Sequence, residues 1–162
     1  MKWITSLVFL VISVMAGQAQ IRAVEKFIED YPNLKEYYVY QSTLRMINQE
    51  GDQDFNRLIK DIRKINIYIS EGSTEITRQS YQGMLDDLAK EGFEILINAK
   101  YESTQIYLMS KESGKSSYYV LAIRDEDNFG LMEMDGSLDL RYLNALEHIN
   151  FSKLQNIVMD QK

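Results

Sequence analysis

Residues 93–134 read FEILINAKYESTQIYLMSKESGKSSYYVLAIRDEDNFGLMEM. Phe93, Ile95, Ile97 and Ala99 alternate with Glu94, Leu96, Asn98 and Lys100. Three more apolar runs come after them: Ile106-Tyr107-Leu108-Met109, Tyr118 to Ile123, and Phe129 to Met134. Successive side chains of a strand point to opposite faces, so a period of two marks strands. The runs are separated by Glu102-Ser103, Ser113-Gly114 and Asp125-Glu126-Asp127-Asn128. Turns this short join neighbouring antiparallel strands. The segment therefore predicts a four-strand meander.

Working outward, Ile65, Ile67 and Ile69 alternate with Asn66, Tyr68 and Ser70, which predicts another strand, and Tyr37-Tyr38-Val39-Tyr40 predicts a first one. Helical spacing marks the rest. Val24, Phe27, Ile28 and Tyr31 form one stripe, closed by Pro32-Asn33. Leu44 and Ile47 belong to a short helix ending near Gly51. Phe55, Leu58, Ile59 and Ile62 form a stripe behind an Asp52 or Asp54 cap. A longer helix runs from about Glu75 to Glu91, with Tyr81, Met84, Leu85 and Leu88 inward and Gly92 as a left-handed cap. Ser137 can cap a last helix holding Leu138, Tyr142, Leu143, Leu146 and Ile149, and the tail Phe151 to Val158 is weakly helical. This order predicts an α+β fold: a mixed or antiparallel sheet of about six strands ending in the meander, with helices mainly on one face.

The N-terminus reads as an address. Met1-Lys2 is a positive start, Ile4 through Met15 is mostly apolar, and Ala16-Gly17-Gln18-Ala19 suits signal peptidase. The expectation is a signal peptide over 1–19, cut after Ala19 with Ala16 as second choice, and a single domain over 20–162. An uncleaved anchor is the competing reading, but spanning takes ~20 apolar residues and Thr5, Ser6 and Ser13 interrupt this run. On the cleaved reading the processed chain is periplasmic or secreted, and soluble.

The chain has no cysteine, which excludes disulfides, thiol nucleophiles and cysteine metal sites. A net charge of −6 opposes nucleic-acid backbones. The basic stretch Arg57, Lys60, Arg63 and Lys64 is interleaved with acids and apolar residues, as on a solvated helix side. His148 is the single histidine. It has no visible nucleophile or second ligand to work with. The clusters Glu50-Gly51-Asp52-Gln53-Asp54 and Asp125-Glu126-Asp127-Asn128 supply too few ligands for calcium and suit turns. Asp86-Asp87 are adjacent in a helix and point apart. No cofactor, metal or catalytic set is expected.

Most of the expected mature chain resembles a family of small exported bacterial proteins of the Bacteroides type, domain of unknown function family 4252. The resemblance rests on the N-terminal signal leading into a helix with Phe27. It rests also on the Tyr-Val-Tyr strand before Leu44, Arg45 and Met46, and on the alternating strand Ile65 to Ile69. Its most distinctive part is Met134-Asp135-Gly136-Ser137-Leu138-Asp139-Leu140, like the family's Gly-x-Ile/Leu-Asp-Leu signature. It implies an envelope or secreted location and no activity. From the residues themselves, Gly136 can take the positive φ of a sharp strand-to-helix turn, and Ser137 or Asp139 can satisfy the first helical N–H groups.

One surface stands out. If Ile65, Ile67, Phe93, Ile95 and Ile97 face the helices, Tyr68 and Leu96 point away, and Tyr107 and Met109 join them by register. Tyr68, Leu96, Tyr107 and Met109 are then the expected binding residues, since exposed apolar patches mark interaction sites. The alternative is that the first or last helix covers this face as ordinary core. The functional expectation is a non-enzymatic envelope protein binding an unidentified protein partner through a sheet face or edge. An envelope hydrolase with carboxylates assembled by the fold, or a structural homo-oligomer subunit, are the alternatives.

Overall fold

The computed structural model describes residues 21–47, 51–70, 75–114 and 116–142. The expected signal segment lies outside the described residues, as do His148, the tail Phe151 to Val158 and the last helix beyond Tyr142. The described elements are α1 (Arg22–Asp30), β1 (Lys35–Tyr40), α2 (Gln41–Ile47), α3 (Gln53–Ile59), β2 (Asp61–Ser70), α4 (Arg78–Lys90), β3 (Glu94–Tyr101), β4 (Thr104–Ser113), β5 (Ser116–Arg124) and β6 (Phe129–Ser137).

Local chemistry sets the helix ends. Asp52 Oδ1 accepts from the N–H groups of Asp54 at 2.8 Å and Phe55 at 3.1 Å, capping α3. Thr77 Oγ1 accepts from Ser80 N–H at 3.1 Å, so α4 starts three residues after Glu75. At its other end Gly92 takes φ +91° while Phe93 N–H donates to the Leu88 carbonyl at 3.1 Å. Among the described residues no helix is long and apolar enough to cross a membrane.

The six strands form one sheet in the order β1-β2-β6-β5-β4-β3, every neighbouring pair antiparallel. The last four strands are the meander expected from residues 93–134. β2 begins four residues before Ile65, because Asp61 and Ile62 pair with Ser137 and Gly136 of β6. For the same reason β6 continues through Ser137, where a strand-to-helix turn was expected. Asp139 instead holds a short turn: its carbonyl accepts from Tyr142 N–H at 2.9 Å and its Oδ1 from Arg141 N–H at 3.2 Å. The Asp125–Asn128 cluster also serves a turn, with Asp125 Oδ1 accepting from the N–H groups of Asp127 and Asn128.

Both sheet faces are apolar. On one, Tyr68, Phe129, Leu131, Val120, Ala122 and Met109 meet Ala23, Val24 and Phe27 of α1 and the Tyr81 to Leu88 stripe of α4. Phe129 sits at its centre, its ring 5.3 Å from Phe27 and 6.2 Å from Tyr81. On the other, Val39, Ile65, Met134 and Tyr119 pack under Leu44 of α2 and Phe55 and Ile59 of α3. A bulge in β3 separates Ile95, which pairs with Met109, from Ile97, which pairs with Leu108. One extra residue moves every later side chain of the strand to the opposite face. Ile95 and Ile97 therefore belong to different faces.

Candidate functional site

The sequence-predicted residues separate into two groups. Tyr68, Tyr107 and Met109 do share one face, but the long helices lie on that face. Tyr68 is 3 % exposed and Met109 1 %. Tyr107 is half-buried, edge-on to the Tyr81 ring at 6.1 Å. Leu96 is not brought to them: it sits in the β3 bulge and is 41 % exposed. The first helix covers this face together with α4, which is the ordinary-core alternative. Strand alternation says which side chains share a face; it does not say which of two apolar faces receives α1 and α4 and which receives α2 and α3.

The same face holds a half-buried carboxylate whose partners are uncharged. Glu133 of β6 points the same way as Tyr68, and its Oε2 accepts from Tyr68 OH and from Asn66 Nδ2, both at 3.1 Å. Burial pushes its pKa above the ordinary carboxylate range, against the lowering effect of Asn66 and Tyr68. Tyr68 is itself pushed up, by burial first and then by the Glu133 charge. Asn66 Oδ1 is buried and has no hydrogen-bond partner. A carboxyl whose folded pKa is raised favours the fold most below its ordinary value, and stability is lost as pH rises through the raised one. Glu133→Gln removes the desolvated charge, so its urea midpoint should exceed that of the parent at neutral pH. The difference should close below about pH 4, where the unfolded-state carboxyl also protonates. A difference that widens as the pH falls would refute this.

A cleft of 460 Å³ lies between α3 and the end of β6, lined by Arg57, Lys60, Asp61, Ser137, Asp139 and Tyr142 among others. The arginines around it are engaged: Arg57 with Asp54 at 3.2 Å, and Arg141 with Asp139 at 2.6 Å. Both guanidinium groups also flank the Tyr142 ring, at 5.5 and 5.7 Å. Among the described residues no group of three or more carboxylates and histidines is gathered as a metal site would require.

The third feature is β3 itself. It is an edge strand, and all eight of its residues are exposed. Ile95 is 55 % exposed, Ile97 41 % and Tyr101 73 %. The opposite edge is guarded differently. On β1, Tyr38 donates to Glu36 at 2.6 Å and lies beneath Lys64 Nζ, 4.6 Å from the ring centroid. An edge strand presents unpaired N–H and C=O groups, and proteins commonly blunt such edges with charge or bulges. β3 has the bulge and Lys100, yet keeps a run of exposed apolar side chains. Sequence reasoning passed over Ile95, Ile97 and Tyr101 because alternation counted the isoleucines as inward. The signal was the unbroken Ile95-Leu96-Ile97, which strict alternation does not produce. Glu133 was missed too, although it is the one carboxylate inside Leu131-Met132-Glu133-Met134.

Residues 27–146 match a family model described as Domain of unknown function (DUF4252). No curated protein matches the chain, and no solved structure matches it.

Proposed function

Because the chain belongs to the DUF4252 family, whose description carries no activity, we propose a function from its own geometry: it is an exported, non-enzymatic binding module that receives a strand of a protein partner along β3. The observation that carries this reading is the exposure of the whole of β3, with Ile95, Leu96, Ile97 and Tyr101 outward. Strand addition draws affinity from main-chain hydrogen bonds and specificity from alternate side chains. An open edge supplies the first, and the four apolar residues supply the second. The N-terminal signal pattern supports a periplasmic or secreted setting, and the partner is then an envelope protein with an extended segment to offer. The binding surface moves from the expected Tyr68, Tyr107 and Met109 to the strand that carries Leu96.

The experiment is a photo-crosslinking residue placed at Ile97, with Asp86 on the outer side of α4 as control, in the full chain. A protein adduct from Ile97 and none from Asp86 is expected. Adding Ile95→Lys and Leu96→Lys should abolish the adduct and leave the urea midpoint within about 0.5 kcal/mol, the usual range for surface changes. Equal adducts from both positions, or an adduct that survives the lysines, would overturn the proposal. An adduct with a second copy of this chain would favour the homo-oligomer reading instead.

A further inference from the structure

The pairing of β3 with β4 fixes which groups a neighbour on the open edge can meet. The bulge at Leu96 leaves Ile97 to Tyr101 as the regular part of the strand. Glu102-Ser103 is a hydrogen-bonded turn that closes on the Tyr101–Thr104 pair. In such a turn the first residue's carbonyl accepts from the fourth residue's N–H, so Tyr101 turns its main-chain groups toward β4. Inward and outward residues alternate along an antiparallel pair. Ala99 and Ile97 therefore also bond β4, and the N–H and C=O groups of Asn98 and Lys100 face the open edge. Side chains alternate in step. Asn98 and Lys100 stand beside Tyr107 and Gln105, on the face of α1 and α4. Ile97, Ala99 and Tyr101 stand beside Leu108, Ile106 and Thr104, on the other face.

Glu94 and Lys100 are the charged residues of β3, and Glu94 lies beyond the bulge beside Ser110. Among the described residues Lys100 makes no ion pair. Its cross-strand rank runs through Gln105 to Arg124 and Phe129, which adds a second positive charge and no acid. Glu102, the next acid along the chain, belongs to the turn. We propose that the partner segment is an antiparallel amphipathic strand with an acidic residue opposite Lys100 and an apolar residue on either side of it. This rests on the strand-addition reading and deepens it. Residues directly opposite in an antiparallel pair share a face and a hydrogen-bonding position. The acid therefore acts twice: its main-chain groups bond those of Lys100, and its carboxylate meets the ammonium. Its neighbours turn their main-chain groups to solvent and lay their side chains against Tyr101 and Ala99, with a further apolar residue against Ile97. A charge pair and an aromatic–aliphatic pair across strands are each favourable, whereas like charges directly opposite are destabilising. The edge thus rejects a strand with a base at the acid's position.

The probe is a dye-labelled, end-blocked peptide, Val-Thr-Val-Glu-Val-Thr-Val, which reads the same in both directions. By fluorescence anisotropy the full chain should bind it about fivefold more tightly than the same peptide with lysine for glutamate. Lys100→Glu should reverse that order and Lys100→Gln should erase it, with urea midpoints unchanged in both. N-methylation of the peptide's glutamate should abolish binding, because that N–H faces β3. N-methylation of the two flanking valines should be tolerated, because theirs face solvent. Ile97→Asn should weaken both peptides alike. Equal binding of the two peptides, still sensitive to Ile97→Asn, would overturn the acid opposite Lys100 and leave strand addition standing. An order that Lys100→Glu does not reverse would do the same. Loss on methylating the valines and not the glutamate would mean a parallel strand and would also overturn the proposal. Binding of neither peptide, or binding that Ile97→Asn leaves intact, would overturn strand addition along β3 itself.

Discussion

Gly136→Ala is expected to cost about 3 kcal/mol or more, although it adds one methyl group to a strand. Two effects combine. Gly136 has φ +140°, a conformation that side chains rarely adopt. A Cβ built there would overlap the Asp61 carbonyl oxygen and lie 2.6 Å from Ile62 Cα. These are backbone atoms of β2, so no side-chain rotation relieves them. The strand must move, and the Asp61–Ser137 and Ile62–Gly136 pairings go with it. Gly83 is the internal control. It lies within α4, has nothing within 4 Å of its built Cβ and does not require a positive φ. Gly83→Ala should therefore stabilise by up to about 1 kcal/mol. Urea melts of the two full-length variants test the pair. A loss below ~1 kcal/mol at Gly136 would mean that β2 and β6 do not approach as closely as described, since strained sites of this kind cost at least that.

The same glycine shows how much of the fold was legible. Its need for a positive φ could be read from the Gly136-Ser137-Leu138-Asp139 stretch, but the reason could not. The expected reason was a turn out of the sheet. The structural reason is a close crossing inside it, fixed by Asp61 and Ile62, which lie far earlier in the chain. Elements set by local pattern were legible: the α1 stripe through Phe27, the α4 stripe with its Gly92 cap, and the four meander strands with their turns. Placement set by non-local choices was not. Ile65 and Ile67 could be assigned to one face and Tyr68 to the other, but both faces are apolar, so α1 and α4 could have taken either. The bulge at Leu96 was hidden for a related reason: one extra residue leaves composition unchanged and reverses the face of every later side chain in the strand. The cover of α1 and α4 over Tyr68, Tyr107 and Met109, together with the exposure of Leu96 beside that bulge, moves the proposed site to the open edge of β3.

Tyr68→Asp and Leu96→Asp, made separately, should consequently behave as opposites. The Tyr68 ring is buried among the α1 and α4 contacts, and its hydroxyl donates to Glu133. The aspartate empties that volume, removes a donor, and sets a second carboxylate near one whose burial already disfavours its charge. Core truncation of an aromatic ring alone costs about 3–5 kcal/mol, and a buried unpaired charge adds to it. Against a typical total of about 5–15 kcal/mol, the domain should lose its cooperative melt at neutral pH. Tyr68→Phe keeps the ring and loses only the hydrogen bond, so about 1–2 kcal/mol is expected. The defect in Tyr68→Asp should shrink as pH falls, because protonation removes the charges that burial penalises. Leu96→Asp should leave the midpoint within about 0.5 kcal/mol, since that side chain is 41 % exposed. Circular dichroism melts between acid and neutral pH read all three. A parent-like melt for Tyr68→Asp at neutral pH would return Tyr68 to the surface and reopen the first-expected face. Leu96→Asp carries the functional half of the test: with the fold intact, a charge in the bulge should weaken strand addition along β3, and partner capture that survives it would remove Leu96 from the binding edge.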